Sequence, residues 1–205
     1  AAFREAFLAS ALAKGAVGYL CDESRSADLA DAAPTAPALV VGDVRRAMGE
    51  VSPLAWGHPD TELPIVGVTG TKGKSTVTCM LRSMFDVASD EPRAGLMGSI
   101  DTFDGVESFE SVNTTPEAPD LWRHLENARA TGLDAMVMEV SSQALKYDRV
   151  TGLSLEVACF LNIGRDHISP IEHPDFEDYF ASKLRIFEQA RVAVVNLESD
   201  HLDEV

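Results

Sequence analysis

Val66-Gly-Val-Thr-Gly-Thr-Lys-Gly-Lys-Ser-Thr76 joins an apolar, β-branched run, Ile65 to Val68, to an amphipathic one through a glycine-rich turn. Val77, Met80, Leu81, Met84, Phe85 and Ala88 recur after it at helical spacing, which predicts one buried helix face. Strand, glycine loop and helix together turn backbone N–H groups toward phosphate oxygens, and the helix N-terminus adds partial positive charge. Lys74 is placed to reach the outer phosphates of a nucleotide and the Ser75 hydroxyl to ligate Mg²⁺. The usual pattern has glycine where Val68 stands, with Gly67 and Gly70 on either side here. A plain turn with an exposed lysine is the competing reading, and the flanking strand and helix weigh against it.

Working toward the N-terminus, the chain reads as a helix from Phe3 to Lys14, a strand from Val17 to Cys21, and a polar, Ala-rich connection with Pro34 and Pro37. A strand from Leu39 to Val41 and a helix from Val44 follow. Pro53 should end or kink that helix, and Trp56 to Asp60 reads as a linker. Residues 1–59 are therefore expected to be part of a small α/β domain and residues 60–205 a second domain. The first residue is not Met and the last follows a strand-like run, so both ends read as cut.

Toward the C-terminus, strand-like runs at Ala135 to Val140, Leu155 to Ile163 and Val192 to Asn196 alternate with helical patterns. The fold class expected is α/β, a P-loop domain with a mostly parallel, doubly wound sheet. Ligands of such sheets sit beyond the carboxyl ends of the strands. Glu139 and Ser141 close one strand, and Asn162 to His167 close the next.

Several residues there are candidates for chemistry. Glu139 ends an apolar strand, where it is either satisfied by local donors or matched by a cation beside phosphates. His167 reads as a cation ligand or as a loop histidine. Lys183 falls in the middle of a helical stripe, Phe176, Tyr179, Phe180, Leu184 and Phe187. It either snorkels along that stripe or is desolvated, with a lowered pKa and a reactive amine. In Val112-Asn-Thr-Thr-Pro-Glu117, Thr115 is expected to cap a helix with Pro116 at its first position. Capping leaves Asn113 and Thr114 unexplained. Ser141, Ser142 and Arg149 form another polar set, with Arg149 suited to a carboxylate or phosphate.

Composition narrows the class. With 205 residues, 45% hydrophobic content and a formal charge of −16, the chain can bury a core and is a poor non-specific binder of nucleic acid. There is no run of roughly 18 apolar residues and no basic n-region in Ala1 to Ala13, so neither insertion nor export is expected. Cys21, Cys79 and Cys159 are far apart, each in an apolar run, and are expected to be buried thiols of a reducing cytoplasm. No zinc-ligand spacing is present.

Taken together, Thr69-Gly-Thr-Lys-Gly-Lys-Ser75, Asn113-Thr-Thr-Pro116, Glu139-Val-Ser-Ser-Gln-Ala-Leu145 with Arg149, Asn162-Ile-Gly-Arg-Asp-His167 and Tyr179-Phe-Ala-Ser-Lys183 resemble the Mur ligases. The likeness is strongest to the members that add the third peptide residue, and it covers nearly the whole chain. It implies that Gly70, Thr71, Lys72, Gly73, Lys74, Ser75 and Thr76 bind ATP, and that Ser75, Glu139 and His167 hold Mg²⁺. It further implies that Asn113, Thr114, Thr115, Ser141 and Arg149 contact a UDP-N-acetylmuramoyl dipeptide. Lys183 would carry a carbamate on a second Mg²⁺, and Lys74, Glu139, His167 and Lys183 would be catalytic. The expected partners are that dipeptide and a diamino acid, with no nucleic acid and no membrane, and the protein is expected to be a cytoplasmic monomer. An isolated piece lacking the amino-acid-binding domain is expected to be inactive. Lys72, Gln143, Tyr147 and the run Ile168 to Pro174 depart from the common pattern. Folylpolyglutamate synthase, whose phosphate loop is similar, and a non-catalytic Mur-like nucleotide-binding protein are the alternatives.

Overall fold

The computed structural model describes residues 5–87 and 89–205. Phe3, expected to open the first helix, and Ala88, the last residue of the expected apolar face, lie outside the described residues. The chain divides within a helix into two units, 1–47 and 48–205.

In the first unit α1 (Glu5–Ala13) precedes β1 (Tyr19–Asp22), α2 (Glu23–Ala32) and β2 (Ala38–Val41). The two strands are parallel, in register from Tyr19 opposite Ala38 to Asp22 opposite Val41. The segment read as an Ala-rich connection is thus mostly helix. Asp22 begins it by accepting the Arg25 N–H at 3.1 Å. Leu29 is the buried side chain of α2, so the helix leaves little apolar period to read.

Pro53 does not end the next helix, α3 (Val44–Trp56). It lies inside, and with Gly49 and Ser52 it is buried, so packing holds the last turn despite the missing N–H. The division between units falls within this helix, ahead of the 59/60 boundary read from the linker-like stretch.

The second unit continues with a 3₁₀ turn at Pro59–Thr61, β3 (Ile65–Thr69), α4 (Lys74–Asp86), β4 (Ala94–Met97), β5 (Asp101–Phe103), β6 (Ser108–Glu110) and α5 (Ala118–Thr131). After these come β7 (Ala135–Glu139), α6 (Ser142–Lys146), β8 (Leu155–Phe160), α7 (Phe176–Leu184) and β9 (Ala190–Val195). They form one seven-stranded sheet in the order β6-β5-β4-β7-β3-β8-β9. The pairings from β4 to β9 are parallel, and β5 and β6 extend one edge antiparallel. The α/β, mostly parallel, doubly wound class is as expected. The sequence reading missed β4, β5 and β6, which are too short to show a period.

Trp122, Leu121 and Leu125 of α5 pack with Met136 and Met138 of β7 in the main core. Phe160, Tyr179 and Phe180 form a second cluster under α7. Three expectations fail in this unit. Thr115 is not a cap: α5 begins at Ala118 with Glu117 as its N-cap. Pro116 disfavours helical backbone at Thr115, and the buried Thr115 hydroxyl donates to the Glu139 carbonyl at 2.9 Å and accepts the Ser141 N–H at 3.1 Å. The expected apolar face of α4 is also not buried, since Met80, Met84 and Phe85 are exposed. Thr78 is the buried residue of that helix, and of the three cysteines expected to be buried Cys21 is, while Cys79 on the same helix and Cys159 are half-buried. Helical period locates an apolar face without saying that the same chain covers it. No helix among the described residues is long and apolar enough to cross a membrane.

Candidate functional site

Parallel pairing sets the carboxyl ends of β7, β3 and β8 side by side, with Val68 opposite Glu139 and Thr69 opposite Phe160. The loop leaving β3 turns through Gly70 and Gly73, the latter a left-handed N-cap of α4 at φ 88°. A side chain at Gly70 would sit 3.0 Å from Leu161 Cβ. The segment after β8 supports the loop. Thr71 and Lys72 donate their N–H groups to the Asn162 carbonyl and Oδ1, each at 3.0 Å, and Asn162 Nδ2 returns a bond to the Lys72 carbonyl. Thr71 Oγ1 accepts the Gly164 N–H at 3.0 Å and bonds the Tyr179 hydroxyl at 3.0 Å, tying the loop to α7. Lys72 pairs with Asp166 at 2.8 Å, an exposed contact of small energetic weight.

Two lysines converge on one carbonyl. Lys74 Nζ and Lys183 Nζ each donate to Gly70 O at 3.0 Å, and Lys183 Nζ lies 4.8 Å over the Tyr179 ring. Burial lowers the pKa of Lys74, opposed by the charge of Glu139. Lys183 is 2% exposed, so it does not snorkel. Burial, reinforced by the Lys74 charge, brings its pKa down to about 7.

That depression makes stability pH-dependent. The unfolded lysine titrates near 10.5, so between 10.5 and about 7 unfolding takes up a proton and stability falls as pH falls. Below the lower value both states are protonated and the penalty is constant. Lys183→Met should therefore melt higher than wild type at pH 7, by about 5 °C, and the gain should shrink as pH rises toward 10. Thermal melts in CO₂-free buffer check this. A variant that melts no higher at pH 7 would mean that the ammonium is adequately solvated.

Glu139 is 1% exposed and satisfied by a residue the sequence did not single out. Its Oε1 accepts the Ser99 N–H at 2.7 Å and its Oε2 the Ser99 hydroxyl at 3.1 Å. That hydroxyl also lies 3.0 Å from Thr114 Oγ1. A Cβ at Gly98 would meet Glu139 Oε1 at 2.7 Å, so a larger residue there would have to displace the carboxylate. Two donors do not exhaust a carboxylate, so Glu139 still offers lone pairs. His167 adopts φ 56°, uncommon for a non-glycine residue, and its Nδ1 lies 3.2 Å from Glu172 Oε1. Glu172 Oε1 also accepts Gln143 Nε2 at 2.9 Å.

Beside the loop is a cavity of about 220 Å³. Of the residues singled out in the sequence, Lys74, Asn113, Thr114, Ser141, Ser142, Arg149, His167 and Lys183 line it. Val112, Gln143 and Glu172 join them. Thr115 and Glu139 are buried behind the lining, and Ser75 sits in the first turn of α4. Arg149 donates to the Thr115 carbonyl at 3.1 Å and pairs with Glu117 at 2.8 Å, while its buried Nε has no partner. A wider depression of about 800 Å³ in the first unit gathers none of these residues. Asp22 and Asp43 in its wall accept backbone N–H groups at the starts of α2 and α3.

A glycine loop between a central parallel strand and a helix, with lysines on its own carbonyl and polar groups along the neighbouring strand ends, defines a P-loop α/β domain. Residues 68–205 match the Mur ligase middle domain family, and the chain belongs to it. It is 44% identical over 92% of its length to a UDP-N-acetylmuramyl-tripeptide synthetase of Bifidobacterium longum. It is 39% identical over 97% to a UDP-N-acetylmuramoyl-L-alanyl-D-glutamate–L-lysine ligase of Enterococcus faecalis. The chain spans 36% and 38% of the lengths of these relatives. A solved UDP-N-acetylmuramoyl-L-alanyl-D-glutamate–2,6-diaminopimelate ligase superposes on 98% of the chain with a TM-score of 0.76 at 28% identity, the chain covering 39% of it. MurF from Acinetobacter baumannii, at 21% identity and TM-score 0.58, shares the fold.

Proposed function

We propose that this chain is the nucleotide-binding part of a MurE-type ligase. In this reading the full-length protein adds a diamino acid to UDP-N-acetylmuramoyl-L-alanyl-D-glutamate, with ATP converted to ADP and phosphate. The observation that carries it is the cavity beside the phosphate loop, which Lys74, His167, Lys183, Arg149 and the Asn113–Thr114 pair line together. Residues 1–59 would complete a nucleotide-sugar domain and residues 60–205 most of the ATPase domain. The enzyme would be a cytoplasmic monomer.

The residues suit the groups this activity requires. Gly70 to Thr76 provide the turn and helix start that cradle polyphosphate. Ser75 and Glu139 offer hard oxygen donors of the kind Mg²⁺ prefers, and His167 is available as a further ligand. The magnesium would neutralise phosphate charge as the γ-phosphoryl group passes to the substrate carboxylate. Lys74 adds a fixed positive charge at the same place. Arg149, with Asn113, Thr114, Thr115 and Ser141, would orient the dipeptide so that its terminal carboxylate meets the phosphoryl group. The resulting acyl phosphate is attacked by the amine of the diamino acid, forming the amide as phosphate leaves. Lys183, with a substantial neutral fraction at pH 7, is suited to capture CO₂. The neutral amine would add to CO₂, forming an N–C bond as one C=O π bond opens to a carboxylate oxygen and an N–H proton passes to solvent, and the resulting anionic carbamate would be a ligand for a second Mg²⁺.

An ADP-release assay on the full-length protein tests this reading. Release should require both the UDP-muramoyl dipeptide and a diamino acid. Release with a folate and glutamate instead would establish the folylpolyglutamate alternative, and ATP binding with no amide formed from either substrate would establish a non-catalytic protein.

A further inference from the structure

Among the cavity residues, Ser142 has a hydroxyl whose direction is set from outside the cavity. Its Oγ lies 2.9 Å from His173 Nε2, and His173 Nδ1 lies 2.6 Å from Asp178 Oδ2. His173 is fully buried, under the Tyr179 ring at 5.1 Å. Lys146 Nζ reaches the same Asp178 oxygen at 2.6 Å, and that bond helps hold Asp178 below its ordinary pKa. An ionised carboxylate only accepts, so the proton between Asp178 and the ring belongs to Nδ1. Asp178 already balances Lys146, and a second charge on a fully buried ring would lack compensation. Nε2 is therefore bare, and the Ser142 hydroxyl must donate to it.

A serine hydroxyl has one proton and two lone pairs. With the proton committed to His173, Ser142 shows the cavity lone pairs alone. Its surroundings include the donors Lys74, Arg149 and the Asn113 amide, with the Glu172 carboxylate as an acceptor. An acceptor-only group in such a wall repels phosphate and carboxylate oxygens and selects a donor. We propose that Ser142 is a substrate-binding residue that accepts an amide N–H from the peptide part of the substrate, with His173 and Asp178 as its positioning residues. The chemical identity of that substrate rests on the ligase reading above.

The test uses the full-length protein. Nitrogen-15 spectra of the histidines should show His173 as the Nδ1–H tautomer, and an Nε2–H tautomer or an imidazolium would overturn the proposal. Calorimetry should show Ser142→Ala binding the UDP-muramoyl dipeptide about tenfold more weakly, the effect of one lost hydrogen bond. Analogues N-methylated at each of the two peptide amides add a second, ligand-side change. One of them should weaken binding to wild type by a similar factor and to Ser142→Ala hardly at all. If Ser142→Ala fails to fold, the analogues still decide on wild type, because equal affinity for both analogues and the parent would overturn the proposal. Dipeptide binding that is unchanged in Ser142→Ala sinks this proposal alone. Absence of dipeptide binding by wild type sinks the ligase reading with it.

Discussion

Lys74→Ala in the full-length protein should lose ADP release and amide formation by about 10³-fold or more while keeping its fold. The lysine leaves the first turn of α4 and is held at the neutral Gly70 carbonyl, a hydrogen bond that phosphate oxygens would replace with a stronger one in which both partners are ionised. Charge spreads over the transferring phosphoryl group in the transition state, so the ammonium acts where binding differs most between ground and transition states. Structural cost should be small, because the side chain bonds to its own loop. The measurement is steady-state ADP release beside a thermal melt. Turnover within a few-fold of wild type, with an unchanged melt, would show that the glycine loop is only a turn.

Lys183→Ala is expected to lose most of its activity, on the order of 10²-fold or more, with nucleotide affinity nearly intact. The two lysines share a carbonyl but differ in surroundings. Lys74 lies at the loop, whereas Lys183 reaches it from α7, out of water, with a pKa of about 7. A positive charge is poorly supported there and an anionic carbamate beside a cation is well supported. Acetate should restore part of the activity of Lys183→Ala by supplying a carboxylate, and Lys183→Arg should not be rescued, since guanidinium keeps the wrong sign. Electron density at the lysine tip, from crystals grown with bicarbonate and nucleotide, is the direct check. Wild-type rates in Lys183→Ala, with an unmodified amine in the density, would reduce Lys183 to a buried structural lysine.

Much of this was legible from the chain. The strand, loop and helix around Gly70, the parallel class, and the placing of Lys183 within an apolar helical stripe all follow from local patterns, which spacing reveals. What escaped reading is non-local. Ser99 reaches Glu139 across 40 positions, and Gly70 meets Lys183 across 113. The Thr115 hydroxyl serves β7 instead of starting a helix, because its partners Glu139 and Ser141 lie on another element. Short strands such as β5 are held by the neighbours they pair with and carry no period of their own. In α2 Leu29 is the buried side chain, so the helix that Asp22 caps shows no apolar period and reads as a connection.

The bond between Thr71 and Tyr179 has a thermodynamic consequence. Thr71 belongs to the phosphate loop. Tyr179 lies on the same helix as Lys183, and its ring is 6.0 Å from that of His167. Any ordering that phosphate imposes on the loop is thereby felt at the wall where His167 and Lys183 stand. Linkage of this kind is reciprocal: the factor by which a filled loop changes affinity at that wall is the factor by which a filled wall changes affinity at the loop, so the order in which ligands arrive leaves their joint affinity unchanged.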